Sequence, residues 1–304
     1  MSDHRAPHLH EIRLGDEAMG PYGIATGADG ALWLTLNGGG EVARLTVDEE
    51  FTRYGIEAPE SGPTVITPGP DGALWFTRTK DHHIGRVTVD GKVEAFPVPT
   101  PDSGPYGIAP GPDGALWFTE LNADRVGRVD VDGEFTEFAL PVEGGFPSMI
   151  TAGPDGGLWF TLNQANAIGR IGVDGRVDLH PLPTEGAGPV GIASDGEALW
   201  FVEIMAGQIG RISVDGRIEE FALPDRTAKP HAIVASAAGE CWFTEWGANR
   251  VGRITTAPLK PLDAALIREY ELPTPSSEPH GITLGPDGSL WVALEKGAVV
   301  RVTP

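Results

Sequence analysis

Cysteine is nearly absent: the 304-residue chain has one, Cys241. No internal disulfide can form, and the adjoining Trp242 and Phe243 mark it as a buried structural thiol rather than a reactive one. Basic residues are scarce too, with 22 Lys and Arg against 43 Asp and Glu and a net charge of −21. That deficit argues against nucleic-acid binding, which needs clustered cations for phosphates, and against anionic membrane surfaces; a solubilising acidic surface is what it describes. No apolar run is long enough to cross a bilayer. The polar start Met1-Ser2-Asp3-His4-Arg5 leads into no apolar signal segment, and with the lone thiol it predicts a cytoplasmic protein. Apolar residues at helical spacing are missing as well. Instead 42 Gly and 27 Pro are spread evenly along the chain, as many short strands and turns require.

What is present is repetition. Aligning Trp33, Trp75, Trp117, Trp159, Trp200, Trp242 and Trp291 gives spacings of 42, 42, 42, 41, 42 and 49. Each copy reads approximately P-x-G-I, D-G-x-L-W-F-T, I-G-R-I-x-V-D-G and a phrase such as E-F-A-L-P. Four alternating segments separated by Asp-Gly, Gly and Pro turns at this period are propeller blades. Six outer-strand phrases follow the third strands, but the chain stops where the seventh belongs; a matching Glu11-Ile12-Arg13-Leu14 stands at the N-terminus. The prediction is therefore all-β: residues 1–304 as one seven-bladed β-propeller, four antiparallel strands per blade, with the N-terminal strand closing the last blade and removing its open edge. The seven extra residues before Trp291 fall in a longer loop around Thr255–Ala265. The recurring Trp, Phe and Ile are core packing between blades, and the Asp-Gly pairs are hairpin turns, since no D-x-D-x-D spacing of a calcium loop accompanies them.

A repeat protein carries its function where the copies differ on one rim. The residue after the repeat's proline, at the start of each innermost strand, reads Tyr22, Thr64, Tyr106, Ser148, Val190, His231, His280. In a propeller this column rings one mouth of the central channel. With 8 His in the chain, adjacent histidines in one column are a departure from composition. A two-residue Asp287-Gly288 turn would set His280 opposite Glu295, and His231 opposite Trp246 by the same construction; a four-residue turn would shift both. Glu278 lies two residues before His280. A single His near a strand end is ordinarily a hydrogen-bonded surface residue, but two His and two Glu converging at a channel mouth form a candidate site. Glu120, Glu203 and Glu245 end other second strands and recur with the repeat, which reads as framing or general negative potential. The carboxylates suit a hard cation such as Mg²⁺, beside a His acting as general base; the same four residues as ligands would suit zinc or iron.

The chain resembles the virginiamycin B lyase family over essentially its whole length. The likeness is carried by Gly20-Pro21-Tyr22-Gly23-Ile24, by Gly188-Pro189-Val190-Gly191-Ile192, by Lys229-Pro230-His231-Ala232-Ile233 with Trp242–Asn249, and by Glu278-Pro279-His280-Gly281-Ile282 with Glu295. The W-F-T-E and I-G-R phrases are shared by related propellers. The resemblance implies opening of a streptogramin B antibiotic, a cyclic depsipeptide, by elimination at its threonyl ester. It further implies that His280 is the general base, that Glu278 binds Mg²⁺ with Glu295 supporting the ion, that His231 contacts substrate and that Tyr22 lines the pocket. Three departures bear on substrate preference: the Gly38-Gly39-Gly40 run, expected to leave that wall open or mobile; Arg78 in place of the usual Glu; and loss of the I-G-R phrase in the last blade. The expected protein is a monomer acting on a small substrate. A lactonase-type metal-dependent propeller hydrolase and a non-catalytic peptide-binding propeller are the alternatives.

Overall fold

The computed structural model describes residues 6–256 and 266–303. It is a seven-bladed β-propeller whose seven sheets each hold four antiparallel strands. Six blades are continuous in sequence, running outward from strands Pro21–Thr26, Pro63–Pro68, Pro105–Pro110, Pro147–Ala152, Pro189–Ser194 and Pro230–Ala237. Blade seven is composite. Pro279–Leu284, Leu290–Leu294 and Ala298–Thr303 supply three strands, and His8–Arg13 adds the fourth, with Ile12 paired to Val299. Glu11 strengthens this seam by accepting hydrogen bonds from the amide and hydroxyl of Thr274, 263 residues away. Of the predicted insert in blade six, residues 257–265 lie outside the described residues.

Burial follows the repeat. All seven repeat tryptophans are essentially fully buried, and Trp75, Trp200, Trp242 and Trp291 each carry the guanidinium of a third-strand arginine of their own blade over the ring. In blade three, Asp113 accepts from Trp117 Nε1 at 3.0 Å and from Arg128 Nε at 2.6 Å. The same Asp–Trp–Arg arrangement recurs in blades one, two, four and seven. Each Asp stands in the turn between the first two strands. In blade seven that turn holds three residues, closed by Gly285 and Ser289, and a bulge between Pro279 and Ile282 precedes it in the chain. The expected two-residue turn is thus corrected: the Asp287 side chain caps Ser289 and holds Trp291, which draws Pro286 into the loop. His280 falls in the bulge and is not the backbone partner of Glu295. Blade six carries the same bulge, between Pro230 and Ile233, so His231 is not paired with Trp246.

Neighbouring inner strands are stitched by the threonine of the W-F-T phrase. Its hydroxyl accepts from an amide in its own blade's bulge and donates to the carbonyl of the next blade's column residue: Thr77 to Tyr106 at 2.6 Å, Thr161 to Val190 at 2.6 Å, Thr244 to His280 at 2.9 Å. Thr35 and Thr119 do the same for Thr64 and Ser148. Blades five and seven carry Val202 and Ala293 at this position, so the carbonyls of His231 and Tyr22 receive no such bond.

Candidate active site

Two recurring backbone features assemble the site. The residue before each inner-strand proline is left-handed, with φ of 60° at Gly20, 60° at Gly62, 62° at Gly104 and 64° at Gly188. Glycine is the default there, yet Phe146, Lys229 and Glu278 adopt φ of 55°, 51° and 55°. A non-glycine residue in this region costs on the order of 1 kcal/mol and marks a functional candidate. The carbonyl of this residue then accepts from the amide that follows the second strand: Glu295 to Glu278 at 3.1 Å, Trp246 to Lys229 at 3.1 Å. That bond, not strand register, brings the two acids together.

The five residues singled out from the sequence converge. The Tyr22 ring stacks on the His280 imidazole with centroids 4.3 Å apart and 28° between planes. His231 meets His280 edge-on at 4.4 Å and Tyr22 at 6.1 Å. His280 Nε2 lies 3.4 Å from Glu295 Oε1, and Lys296 Nζ lies 3.4 Å from Glu278 Oε1. His280 is 8% exposed. Its Nδ1 and that of His231 are buried with no hydrogen-bond partner.

Electrostatics separates their roles. Burial, with His280 adding to it, pushes His231 down to about 3, so it is a neutral imidazole at physiological pH. The hydrogen bond with His280 leads the causes that hold Glu295 down to about 2, against the opposing effect of burial; a hydrogen bond with Glu278 contributes. Two carboxyl groups within hydrogen-bond reach need a shared proton or a cation between them. The oxygen donors of Glu278 and Glu295 therefore fit Mg²⁺, which keeps most of its waters and takes one or two carboxylates. Among the described residues no three His, Cys, Asp or Glu side chains converge as ligands, a poorer match to the zinc or iron alternative.

The pattern of the virginiamycin B lyase family matches residues 7–302. The chain belongs to the virginiamycin B lyase family. It is similar to the selenomethionine-substituted virginiamycin B lyase of Staphylococcus aureus, at 42% identity and a TM-score of 0.92 over 98% of this chain and 99% of that one. A catalytically inactive histidine-to-alanine variant of the Staphylococcus aureus enzyme, crystallised with quinupristin, matches with the same 42% identity, 0.92 TM-score and 98% and 99% coverage. A virginiamycin B lyase of Saccharopolyspora erythraea is 58% identical over 58 residues, a stretch spanning 19% of this chain and 19% of that protein. The family and structural matches support an antibiotic-inactivating lyase.

Other residues of this lyase-family chain stand where the sequence did not place them. Glu120, Glu203 and Glu245 are fully buried, not part of an acidic rim. Burial pushes them up to about 8, about 7 and about 8, with Glu137 and Glu269 carboxylates adding to the first and last. Near neutral pH Glu120 and Glu245 are mostly protonated and Glu203 about half so, which reduces the negative potential they supply. Arg78 is 6% exposed and bound to Asp81. The Gly38-Gly39-Gly40 turn is no gap: a Cβ at Gly38 would lie 2.0 Å from the Ala18 carbonyl, and one at Gly40 2.1 Å from that of Pro59. Three side chains escaped the sequence reading as site members. Tyr106 Oη hydrogen-bonds Tyr22 Oη at 2.6 Å, Trp246 lies 6.4 Å from the His280 ring, and Lys229 Nζ sits 5.2 Å over Trp246. The signal was available in the left-handed column, where Lys229 replaces glycine as Glu278 does.

Proposed function

We propose that this chain is a Mg²⁺-dependent carbon–oxygen lyase that linearises streptogramin B-type cyclic depsipeptides at the threonyl ester. The observation that carries this reading is the packing of a stacked, partly sealed His280 against the Glu295 and Glu278 carboxyls at one channel mouth. His280 accepts the threonyl α-proton through Nδ1, the ring nitrogen with no hydrogen-bond partner, while Nε2–H donates to the ionised Glu295. The C–H electron pair becomes the Cα–Cβ double bond, the Cβ–O ester bond breaks, and the carboxylate leaves with that bond's electrons. Glu295, ionised throughout, stabilises the imidazolium that forms. Glu278 and Glu295 would hold Mg²⁺, which when bound polarises substrate carbonyl oxygens and so acidifies the α-carbon. His231, neutral, offers the substrate a hydrogen bond without competing for the proton, and Tyr22 forms a wall of the pocket. Membership of the family and the inactive histidine variant of a relative support this allocation.

The test is a mass spectrum of quinupristin incubated with purified protein, with and without Mg²⁺. A linear product of unchanged mass that forms only with the metal is expected. A gain of one water would assign the protein to the hydrolases instead, and an intact ring would favour a binding propeller.

A further inference from the structure

Tyr22 and His231 are the two site residues of the column whose backbone lacks the threonine stitch. The Tyr22 carbonyl receives no such bond because blade seven offers Ala293. Directly below it runs the central channel, a cavity of about 400 Å³ lined by Ile24, Ile66, Ile108 and their counterparts in other blades. A cavity of that size beneath an aromatic ring leaves room for the ring to swing off His280. Besides its ring contacts with His280 and His231, one hydroxyl opposes this. Tyr106, two blades away, meets Tyr22 Oη at 2.6 Å across the channel mouth. The blade between them is cut short: Thr64 is turned back onto Thr77 and Thr79 by bonds of 2.9 and 2.8 Å. Tyr106 itself is tied down, its carbonyl accepting from Thr77 at 2.6 Å. A tyrosine whose backbone is stitched to the neighbouring blade therefore grips one whose backbone is not. Both hydroxyls stay protonated, since burial raises each tyrosine above its ordinary value and the Glu295 charge adds to that.

We propose that Tyr106 is a positioning residue: through its hydroxyl it holds the Tyr22 ring flat against the His280 imidazole. The proposal rests on the lyase reading for its effect on turnover, though not for the contact itself. Loss of the strut leaves both rings present but the base and pocket wall misaligned, and small misplacements of reacting groups lower rates steeply.

The experiment compares Tyr106→Phe, Tyr22→Phe and the double variant, by kinetics with Mg²⁺ and by ring-current shifts of ¹³C-labelled histidine, with the His280 signal identified by its absence in His280→Ala. For Tyr106→Phe the expected result is a kcat lowered about 10- to 100-fold with KM changed less than about twofold. The double variant should be no slower than Tyr22→Phe, since one acts through the other. Without substrate, the His280 resonance should move toward its position in a Tyr22→Ala protein. An unmoved His280 signal in Tyr106→Phe would overturn the proposal, whatever the turnover; so would multiplicative losses in the double variant. Wild-type protein inert toward streptogramins would sink the lyase reading while the ring-current result still decides the strut.

Discussion

The two ends of the channel follow opposite rules. Where each inner strand turns into the second, the copies are nearly alike: Asp, Trp and Arg form the same hydrogen-bonded unit in five blades. Blade five keeps Asp195 on Trp200, and blade six substitutes Glu240 on Arg253. At the other end, Tyr, Thr, Tyr, Ser, Val, His and His occupy one column. The same backbone frame, with its left-handed residue, proline and bulge, presents every one of them. A repeated residue thus reports on what each blade needs in order to stack. A residue that departs from its column reports on what the whole ring does once.

Breaking each end separately should separate these effects. His280→Ala should lower ring-opening kcat by on the order of 10³-fold while leaving thermal unfolding close to the parent's, checked by calorimetry beside the rate assay. Trp117→Ala, at the repeated end, should cost about 3–5 kcal/mol of stability by urea unfolding, with kcat of the folded fraction unchanged. Glu120→Gln sharpens the comparison most finely, because Glu120 recurs in other blades yet sits at the variable end. Its folded-state value, about 8, lies above the ordinary carboxyl range. Its contribution is therefore fully present below that range and is lost as pH rises through about 8. The Gln variant should lose less thermal stability than the parent between about pH 5 and about pH 9, with turnover near neutral pH unaltered.

The architecture was legible because period and composition both reported it. Seven tryptophans set the blade count, and the missing seventh outer phrase, matched by Glu11–Leu14, gave the closure. The site was legible as a column of departures: Tyr22, His231 and His280 were visible once the copies were stacked, and Glu278 and Glu295 with them. Register was not, because the turn length depends on an Asp side chain choosing Trp291 as its partner, a tertiary contact that overrides the two-residue Asp-Gly signal. The burial of Glu120, Glu203 and Glu245 was hidden for a similar reason: alternation along a strand does not say whether the next blade covers its end. Tyr106 stands in the same column, but a bond between first and third blades needs the intervening Thr64 to be withdrawn, which no pairwise spacing reveals.

The strand that completes blade seven comes from the far end of the chain, and blade seven also carries Glu278, His280 and Glu295. The joint that seals the circle and the candidate site therefore share one sheet. Closing so long a loop is entropically disfavoured until the other blades are in place to receive it, so a molecule without this strand would have an open seventh blade beside His280. Turnover is then a census of finished rings. A preparation damaged at residues 8–13 should contain fewer active molecules, each working at full speed, and not a uniform population of slow ones.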